Sequence, residues 1–271
     1  LRDALPISGE YAGSLYSELI DEKNKVIYLA PFAGSTKILK YNLDGTFVTD
    51  YDLGERLNKP KLSLNPDGSI SLVHLCFQGM SEMMGAVITP DSTITKYIPA
   101  PGQAINPRDK NGSFVGFNNE IWSYNNVEGF KYMMMPVDTL YNYNAAANKM
   151  EAQFALSNPP VGEDVFLIYD ELPGKYLATV WGKGTIVVDN KNNNSHYVKL
   201  VNDYFGGLPA PMNFTNGWFF AMYEPAVLME NIEKRMAASD CTDKDKELLK
   251  DLLGSLDEND NNVMFIGKLK K

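Results

Sequence analysis

Short apolar strands that each follow a tight turn recur five times along this chain. They start at Lys25, Ser69, Glu120, Lys175 and Gly217, and successive starts are 42 to 55 residues apart. A repeat of about 40 to 50 residues that holds about four strands is typical of the blades of a β-propeller. The repeat therefore predicts an all-β propeller in which each repeat folds as one blade.

The last repeat differs from the four before it because its pattern holds three strands rather than four. Its strands are predicted at 211–214, 217–223 and 263–269. Each earlier repeat contains four short segments separated by turn residues, such as Asp44-Gly45, a dipeptide that tolerates the positive φ of a tight hairpin. In the third repeat the segments are 113–117, 120–124, roughly 132–143, where Pro136 could introduce a bulge, and 150–156. The sequence therefore predicts about five blades, with the last one lacking its fourth strand.

Two amphipathic helices are predicted between the second and third strands of that last repeat. Residues 226–237 and 243–253 place apolar side chains at helical spacing. Because an amphipathic helix hides one stripe, four of these side chains should be buried. They are Leu228, Ile232, Leu249 and Leu252. We expect one propeller domain spanning residues 1–271, with a helical insertion at about 225–255.

Composition and charge narrow the classes of partner and cofactor. The chain carries 25 basic and 34 acidic residues, a net charge of −9, which argues against nucleic acid and anionic membranes as main partners. No apolar run approaches the ~18 residues of a membrane-spanning helix, so no transmembrane segment is predicted. Cys76 and Cys241 stand far apart and outside any Cys/His motif, so we predict no metal site and no cofactor.

Four segments carry a resemblance to a known family. They are Gly9-Glu-Tyr11, 20–28, 37–47 and 256–270. Together they resemble the secreted six-bladed β-propeller proteins abundant in Bacteroidetes-type bacteria, which are loosely related in shape to NHL and TolB-like propellers. The last segment follows a helical pair and resembles the closing motif of that family.

The resemblance implies an exported protein, anchored as a lipoprotein in the periplasm or at the cell surface. It also implies an N-terminal truncation of a six-bladed ring, because the secretion signal, the lipid-attachment cysteine and the first blade of the family have no counterpart here. Residues 1–8 fit no blade and are interpreted as non-native. The family has no generally established activity, so the resemblance implies a fold and a compartment rather than a reaction.

Candidate binding residues lie in the loops that join successive blades or the middle strands of a blade. In propellers these loops surround the mouth of the central channel, where ligands usually bind. The candidates are Arg56, His74, Gln103, Arg108, Asp164 and Tyr204. No catalytic residue is predicted among them.

Most of these candidates also have an ordinary structural explanation. The guanidinium groups of Arg56 and Arg108 are suited to bind carboxylates or phosphates, or they are solvated loop residues. His74 ends a strand and is either a base or ligand in a site or a buried structural histidine. Asp164 and Glu163 are the one tempting carboxylate pair for a metal, and two histidines in the chain assemble no convincing Ser/His/Asp or Cys/His set.

Three functional hypotheses remain open. The leading one is a non-catalytic secreted propeller that binds a small molecule, a glycan or a protein at the loop-bearing face of its channel. The second is a hydrolase or lactonase acting over the channel, which would need carboxylates that converge on a bound ion. The third is a purely structural module of a surface complex. An apolar, aromatic-rimmed site without converging carboxylates favours binding.

Overall fold

The computed structural model of the protein describes most of the chain. The described residues are 14–100, 102, 104–135, 137–158 and 167–270. The motif at Gly9 to Tyr11, residues 1–8 and the candidates Gln103 and Asp164 lie outside them. Two compact units divide the chain, the first taking in the described residues of 1–123 and 128–159 and the second those of 124–127 and 160–271.

The first unit contains three antiparallel sheets, each a four-stranded meander in chain order. The first sheet consists of β1 (Leu15–Asp21), β2 (Val26–Pro31), β3 (Lys37–Asn42) and β4 (Phe47–Asp52). The second consists of β5 (Lys61–Leu64), β6 (Ile70–Val73), β7 (Met83–Ile88) and β8 (Ile94–Pro99). The third consists of β9 (Ile121–Trp122), β10 (Phe130–Met134), β11 (Leu140–Asn144) and β12 (Lys149–Phe154).

Alternating apolar residues build the core between these sheets. In β2, Val26, Tyr28 and Ala30 are buried while the residues between them are partly exposed, as expected for a strand with one face on the core. They pack in one cluster with Leu62 of β5 and Ile70 of β6. The first and second sheets therefore share one buried apolar cluster.

The third sheet corrects the strand prediction for its repeat. Residues 113–117 were expected to form its first strand, but Gly116–Asn118 forms a short 3-10 helix. Gly116 packs directly on the Phe77 ring, where an added Cβ would come within 2.8 Å of the ring. A single strand was expected at 132–143, whereas the structure has β10 and β11 there, and Pro136, which has no backbone N–H, falls between them.

The second unit contains one complete meander, a short ribbon and an incomplete last sheet. The meander consists of β13 (Leu167–Leu172), β14 (Lys175–Val180), β15 (Gly184–Asp189) and β16 (Ser195–Val198). The ribbon pairs β17 (Val201–Asn202) with β18 (Leu208–Pro209). The last sheet consists of β19 (Phe214–Thr215), β20 (Trp218–Tyr223) and β21 (Val263–Lys268).

Two helices connect β20 to β21, as the sequence predicts. They are α1 (Pro225–Met236) and α2 (Asp243–Gly254). Thr242 begins α2 with a capping box, in which its hydroxyl accepts the N–H of Asp245 and the Asp245 carboxylate accepts the N–H of Thr242. Three of the four predicted buried side chains are fully buried and Leu252 is partly buried, in one cluster with strand residues of the last sheet.

The last sheet has two different faces. Phe219, Ala221 and Phe265 belong to the cluster that contains the helices. The opposite face is apolar and exposed. It presents Trp218, Phe220, Met222, Met264 and Ile266. Within the described part of the chain β21 pairs with β20 only, and the fold class is an all-β propeller arrangement with about five blades and a two-helix insertion.

Candidate functional site

The structure places the predicted site residues in different environments. Arg56 and Arg108 are exposed, and Arg108 donates a hydrogen bond of 2.7 Å to the carbonyl of Gly112 in its own loop. His74 is buried in the first unit, and Tyr204 is exposed in the second. Among the described candidates no two side chains are in hydrogen-bond or ring contact with each other, so each is considered with its own neighbours.

His74 is enclosed in a closed polar arrangement at the end of β6. Its side chain is 0% exposed. Its Nε2 donates to the carbonyl of Met83 at 2.6 Å, and its Nδ1 accepts the N–H of Asn58 at 3.4 Å. Burial lowers the pKa of His74 to about 4. A neutral ring with both nitrogens engaged supports the structural interpretation that the sequence left open.

Cys76 and Glu55 lie beside this histidine and make the group look like a hydrolase triad. The Cys76 Sγ is 4.0 Å from His74 Nε2, and a Glu55 carboxylate oxygen is 3.8 Å from the same atom. However, His74 Nε2 donates its proton to the carbonyl of Met83 and cannot accept one from the thiol. Burial also raises the pKa of the Cys76 thiol far above its usual range. The Glu55 carboxylate accepts the N–H groups of Glu82 and Met83. This group therefore stabilises the 74–82 loop between β6 and β7, and its geometry does not support nucleophilic catalysis.

A second buried polar group in the first unit surrounds Lys59. Its Nζ donates to the carbonyls of Phe117 and Asn119 and to the Glu120 carboxylate, at 3.1, 2.8 and 2.9 Å. Tyr16 donates its hydroxyl proton to the other oxygen of Glu120. Although burial alone would raise it, these hydrogen bonds hold the pKa of Glu120 below its usual value. All three Lys59 protons are used, so this network also fixes the fold.

Tyr204 lies in an open apolar cleft in the second unit. The cleft has a volume of about 610 Å³ and runs between the 200–210 segment and the last sheet. Its side chains are mostly apolar, and five of them are aromatic. These are Tyr204, Phe205, Phe214, Phe219 and Phe265. Ligand sites of proteins are usually concave, largely apolar and about 300–1,000 Å³ in volume, and this cleft has those properties.

The rings of the cleft form a connected group. Phe205 stacks at a tilt on Phe265, with 4.7 Å between ring centroids, and meets Tyr204 edge to face at 4.9 Å. Tyr204 itself is 77% exposed. Phe205 and Phe265 are thus fixed by packing, while Tyr204 presents a ring edge and face to solvent beside them.

Local backbone contacts hold this wall in place. Residues Asp203–Phe205 form a 3-10 helix whose first turn is capped by Asn202, and Gly206 ends it with a φ of +63°. An added Cβ at Gly206 would come within 2.8 Å of the Leu249 side chain of α2, so the turn lies directly on that helix. The Nε of Arg235 donates to the carbonyl of Gly206 at 2.9 Å. The wall is therefore preformed.

A second groove lies on the other side of the same wall. It has a volume of about 500 Å³, and Asp203, Tyr204 and Phe205 line both cavities. Its remaining residues include Lys244 and Asp251. Tyr204 was chosen from the sequence only because it lies in the 203–209 loop. The phenylalanines of the cleft were missed, because strand residues such as Phe219 and Phe265 look like ordinary core in the sequence.

In the part of the chain that the structure describes, no group of three His, Cys, Asp or Glu side chains is placed to hold a metal ion. No helix there is long and apolar enough to cross a membrane.

Comparison with solved structures finds the same fold elsewhere. A predicted exported protein of Bacteroides fragilis is 14% identical, with a TM-score of 0.57 over 94% of this chain and 77% of that one. The extracellular domain of a predicted hybrid two-component system of B. thetaiotaomicron is 13% identical, with a TM-score of 0.42 over 68% of this chain and 23% of that one. An auxiliary nutrient binding protein of the same species is 10% identical, with a TM-score of 0.40 over 68% and 41%.

The likeness to the B. fragilis protein shows the fold alone. The chain spans less than half of the two B. thetaiotaomicron structures, and their TM-scores support no argument about function. No family model and no curated protein matches this sequence.

Proposed function

We propose that this chain is a non-catalytic propeller that binds a small apolar molecule in the cleft beside Tyr204. The observation that supports this most is the preformed aromatic wall of Tyr204 and Phe205, which packs on Phe265 and lines a cavity of about 610 Å³. The 203–209 loop that carries Tyr204 is one of those that the sequence predicts at the ligand-binding face. Binding is favoured over hydrolysis because the buried His74 and Cys76 have their polar atoms engaged by the protein itself.

A neutral aromatic alcohol, 1-naphthylmethanol, tests this proposal by isothermal titration calorimetry. We expect saturable binding to the intact chain and at least a tenfold loss of affinity in Tyr204→Ala, because the exposed ring supplies one wall of the cleft. Tyr197→Ala is the matched control, since Tyr197 is also an exposed tyrosine of the second unit but does not line the cleft. Equal losses in both variants, or no binding at all, would contradict the proposal.

Maltohexaose in the same titration distinguishes a glycan from an apolar ligand. The aromatic lining predicts weaker binding of this polar oligosaccharide than of the naphthyl alcohol. A clearly tighter interaction with maltohexaose that Tyr204→Ala abolishes would assign the cleft to glycans instead, which the sequence analysis also left open.

The finer features of the family resemblance complete the proposal. We propose that the protein is an exported lipoprotein of the periplasm or cell surface, and that its full ring has six blades. Trp218, Phe220 and Met222 lie on the exposed face of the last sheet and do not line the cleft. They support a further blade, because exposed apolar surface of this kind normally marks a contact. Expression of a longer form with the natural upstream sequence should raise the melting temperature. An unchanged melting temperature would contradict the sixth blade.

A further inference from the structure

The described residues that line the aromatic cleft carry negative charge only. Asp203 is the single charged residue among the described residues that line it. Asp203 is exposed, and its carboxylate forms no hydrogen bond or ion pair with the residues that the structure describes. Lys244 lines the neighbouring groove, which Asp203 also lines, but it does not line the cleft. The described residues that line the cleft therefore offer a negative charge and no positive one.

The rings beside Asp203 reinforce this preference. The faces of Tyr and Phe rings carry partial negative charge and attract cations within about 6 Å of their centroids. Tyr204 follows Asp203 directly in the chain, and Phe205 follows Tyr204, so the carboxylate and the connected rings lie in one turn of 3-10 helix. A ligand with an apolar body would bury that body against Phe205 and Phe265 and hold its charged end near Asp203.

The same arrangement discriminates against anions. An anionic ligand of equal size would bring its charge to a carboxylate and to the negative faces of the rings, with no lysine or arginine among the described residues of the cleft to compensate it. The net charge of the chain, −9, acts in the same direction at long range.

We infer that the cleft selects organic cations, namely amines or ammonium ions that carry an aromatic or alkyl body. This inference rests on the proposed function, because it names the class of ligand for the same cleft. It adds a role for Asp203 as the residue that determines charge specificity, separate from the apolar binding provided by the rings.

Three naphthyl probes of nearly the same size and shape test this inference at low ionic strength. They are the 1-naphthylmethylammonium ion, neutral 1-naphthylmethanol and the 1-naphthoate anion. We expect the ammonium ion to bind about tenfold tighter than the alcohol, and the alcohol to bind tighter than the carboxylate. Added salt should narrow the difference, because the charge at Asp203 is exposed.

Two matched variants locate the effect. Asp203→Asn should bind the ammonium ion and the alcohol with affinities within about twofold of each other, since the partial charge of the rings alone remains. Asp251→Asn removes an acidic residue of the neighbouring groove and should keep the tenfold preference. Melting temperatures of both variants establish that they fold.

The outcomes separate the two proposals. If none of the three probes binds, both the proposed function and this inference are overturned. If the alcohol binds but the ammonium ion binds no tighter, the inference alone is overturned. If Asp203→Asn and Asp251→Asn reduce the preference equally, long-range charge explains it, and the role of Asp203 is overturned.

Discussion

Lys59 in the first unit and Asp203 in the second are both charged, but they differ in burial and in hydrogen-bond partners. Lys59 is almost fully buried, and three acceptors take its three protons. Asp203 is exposed on the wall of an apolar cleft and has no partner among the described residues.

The difference between the two units indicates where a ligand can bind. His74 and Cys76, the residues with the most obvious chemistry, are enclosed and engaged by the protein. A buried group whose hydrogen bonds are complete contributes to stability and has no capacity left for a ligand. The open cleft of the second unit exposes apolar surface and the Asp203 carboxylate, which has no partner among the described residues, and both are available to a ligand.

The largest expected effect on stability comes from the buried Lys59 network of the first unit. Lys59→Ala should lower the free energy of unfolding by about 3–5 kcal/mol, because it removes the buried cation paired with the Glu120 carboxylate and leaves two carbonyls without their Lys59 donor. Urea unfolding monitored by circular dichroism measures it. Lys37→Ala is the control, since its ion pair with Asp50 is exposed and should matter much less. A similar small loss in both variants would mean that the Lys59 network is not a stabilising element.

His74 should make the protein sensitive to acid. Its folded pKa of about 4 lies below the ordinary value of 6.5, so between these values the unfolded chain binds a proton that the folded chain does not. Stability is therefore lost as the pH falls from about 6.5 to about 4, by up to about 3 kcal/mol. The difference in unfolding free energy between wild type and His74→Gln should shrink over that range. A difference that stays constant would show that His74 is accessible to protons.

Asp170 in the second unit should respond to pH with the opposite sign. Burial raises its pKa from 3.8 to about 7, despite a hydrogen bond from Asn126 that favours the charged form. Between these values the folded chain holds a proton that the unfolded chain has lost, so stability falls as the pH rises from about 4 to about 7. Asp170→Asn should be more stable than wild type at pH 8, on the order of 2 kcal/mol for this half-buried carboxyl, with little difference at low pH.

The outcome that would contradict this assignment is an Asp170→Asn variant that loses stability at pH 8. Asparagine keeps an oxygen that can accept from Asn126, so the substitution removes the charge while preserving the acceptor. Chemical denaturation at pH 5 and pH 8 distinguishes the two results.

The smallest expected effect on stability concerns the preformed wall of the cleft. Gly206→Ala should cost about 1–2 kcal/mol, because alanine is strained at a φ of +63° and its Cβ would meet Leu249. It should also weaken 1-naphthylmethanol binding, although Gly206 does not line the cleft. Gly182→Ala has a similar φ of +74° with open space around it, and it should leave binding unchanged. Unaltered binding in Gly206→Ala would mean that the wall is not fixed by this turn.

Much of the fold could be predicted because strand alternation and turn residues are local signals. Both helices and the strands of the last sheet lie within a few residues of their predicted positions. The third sheet was predicted less well, since the run at 113–117 has the composition of a strand. Its backbone instead follows the close packing of Gly116 on Phe77, a contact between residues far apart in sequence.

The site was less predictable for the same physical reason. Tyr204 was identified from its loop, but the cleft exists only because that loop packs near Phe219 and Phe265 of the last sheet. Likewise, nothing in the sequence distinguishes the buried Lys59 from a solvated loop lysine, since its three acceptors come from residues 117–120.

The most direct test of the account is hydrogen–deuterium exchange followed by mass spectrometry, with and without saturating 1-naphthylmethylammonium ion. We predict slower exchange in peptides that cover 200–205 and 264–267, because these segments line the cleft, and unchanged exchange at 74–84 around His74. Slower exchange at 74–84 with no change in the cleft segments would contradict the account.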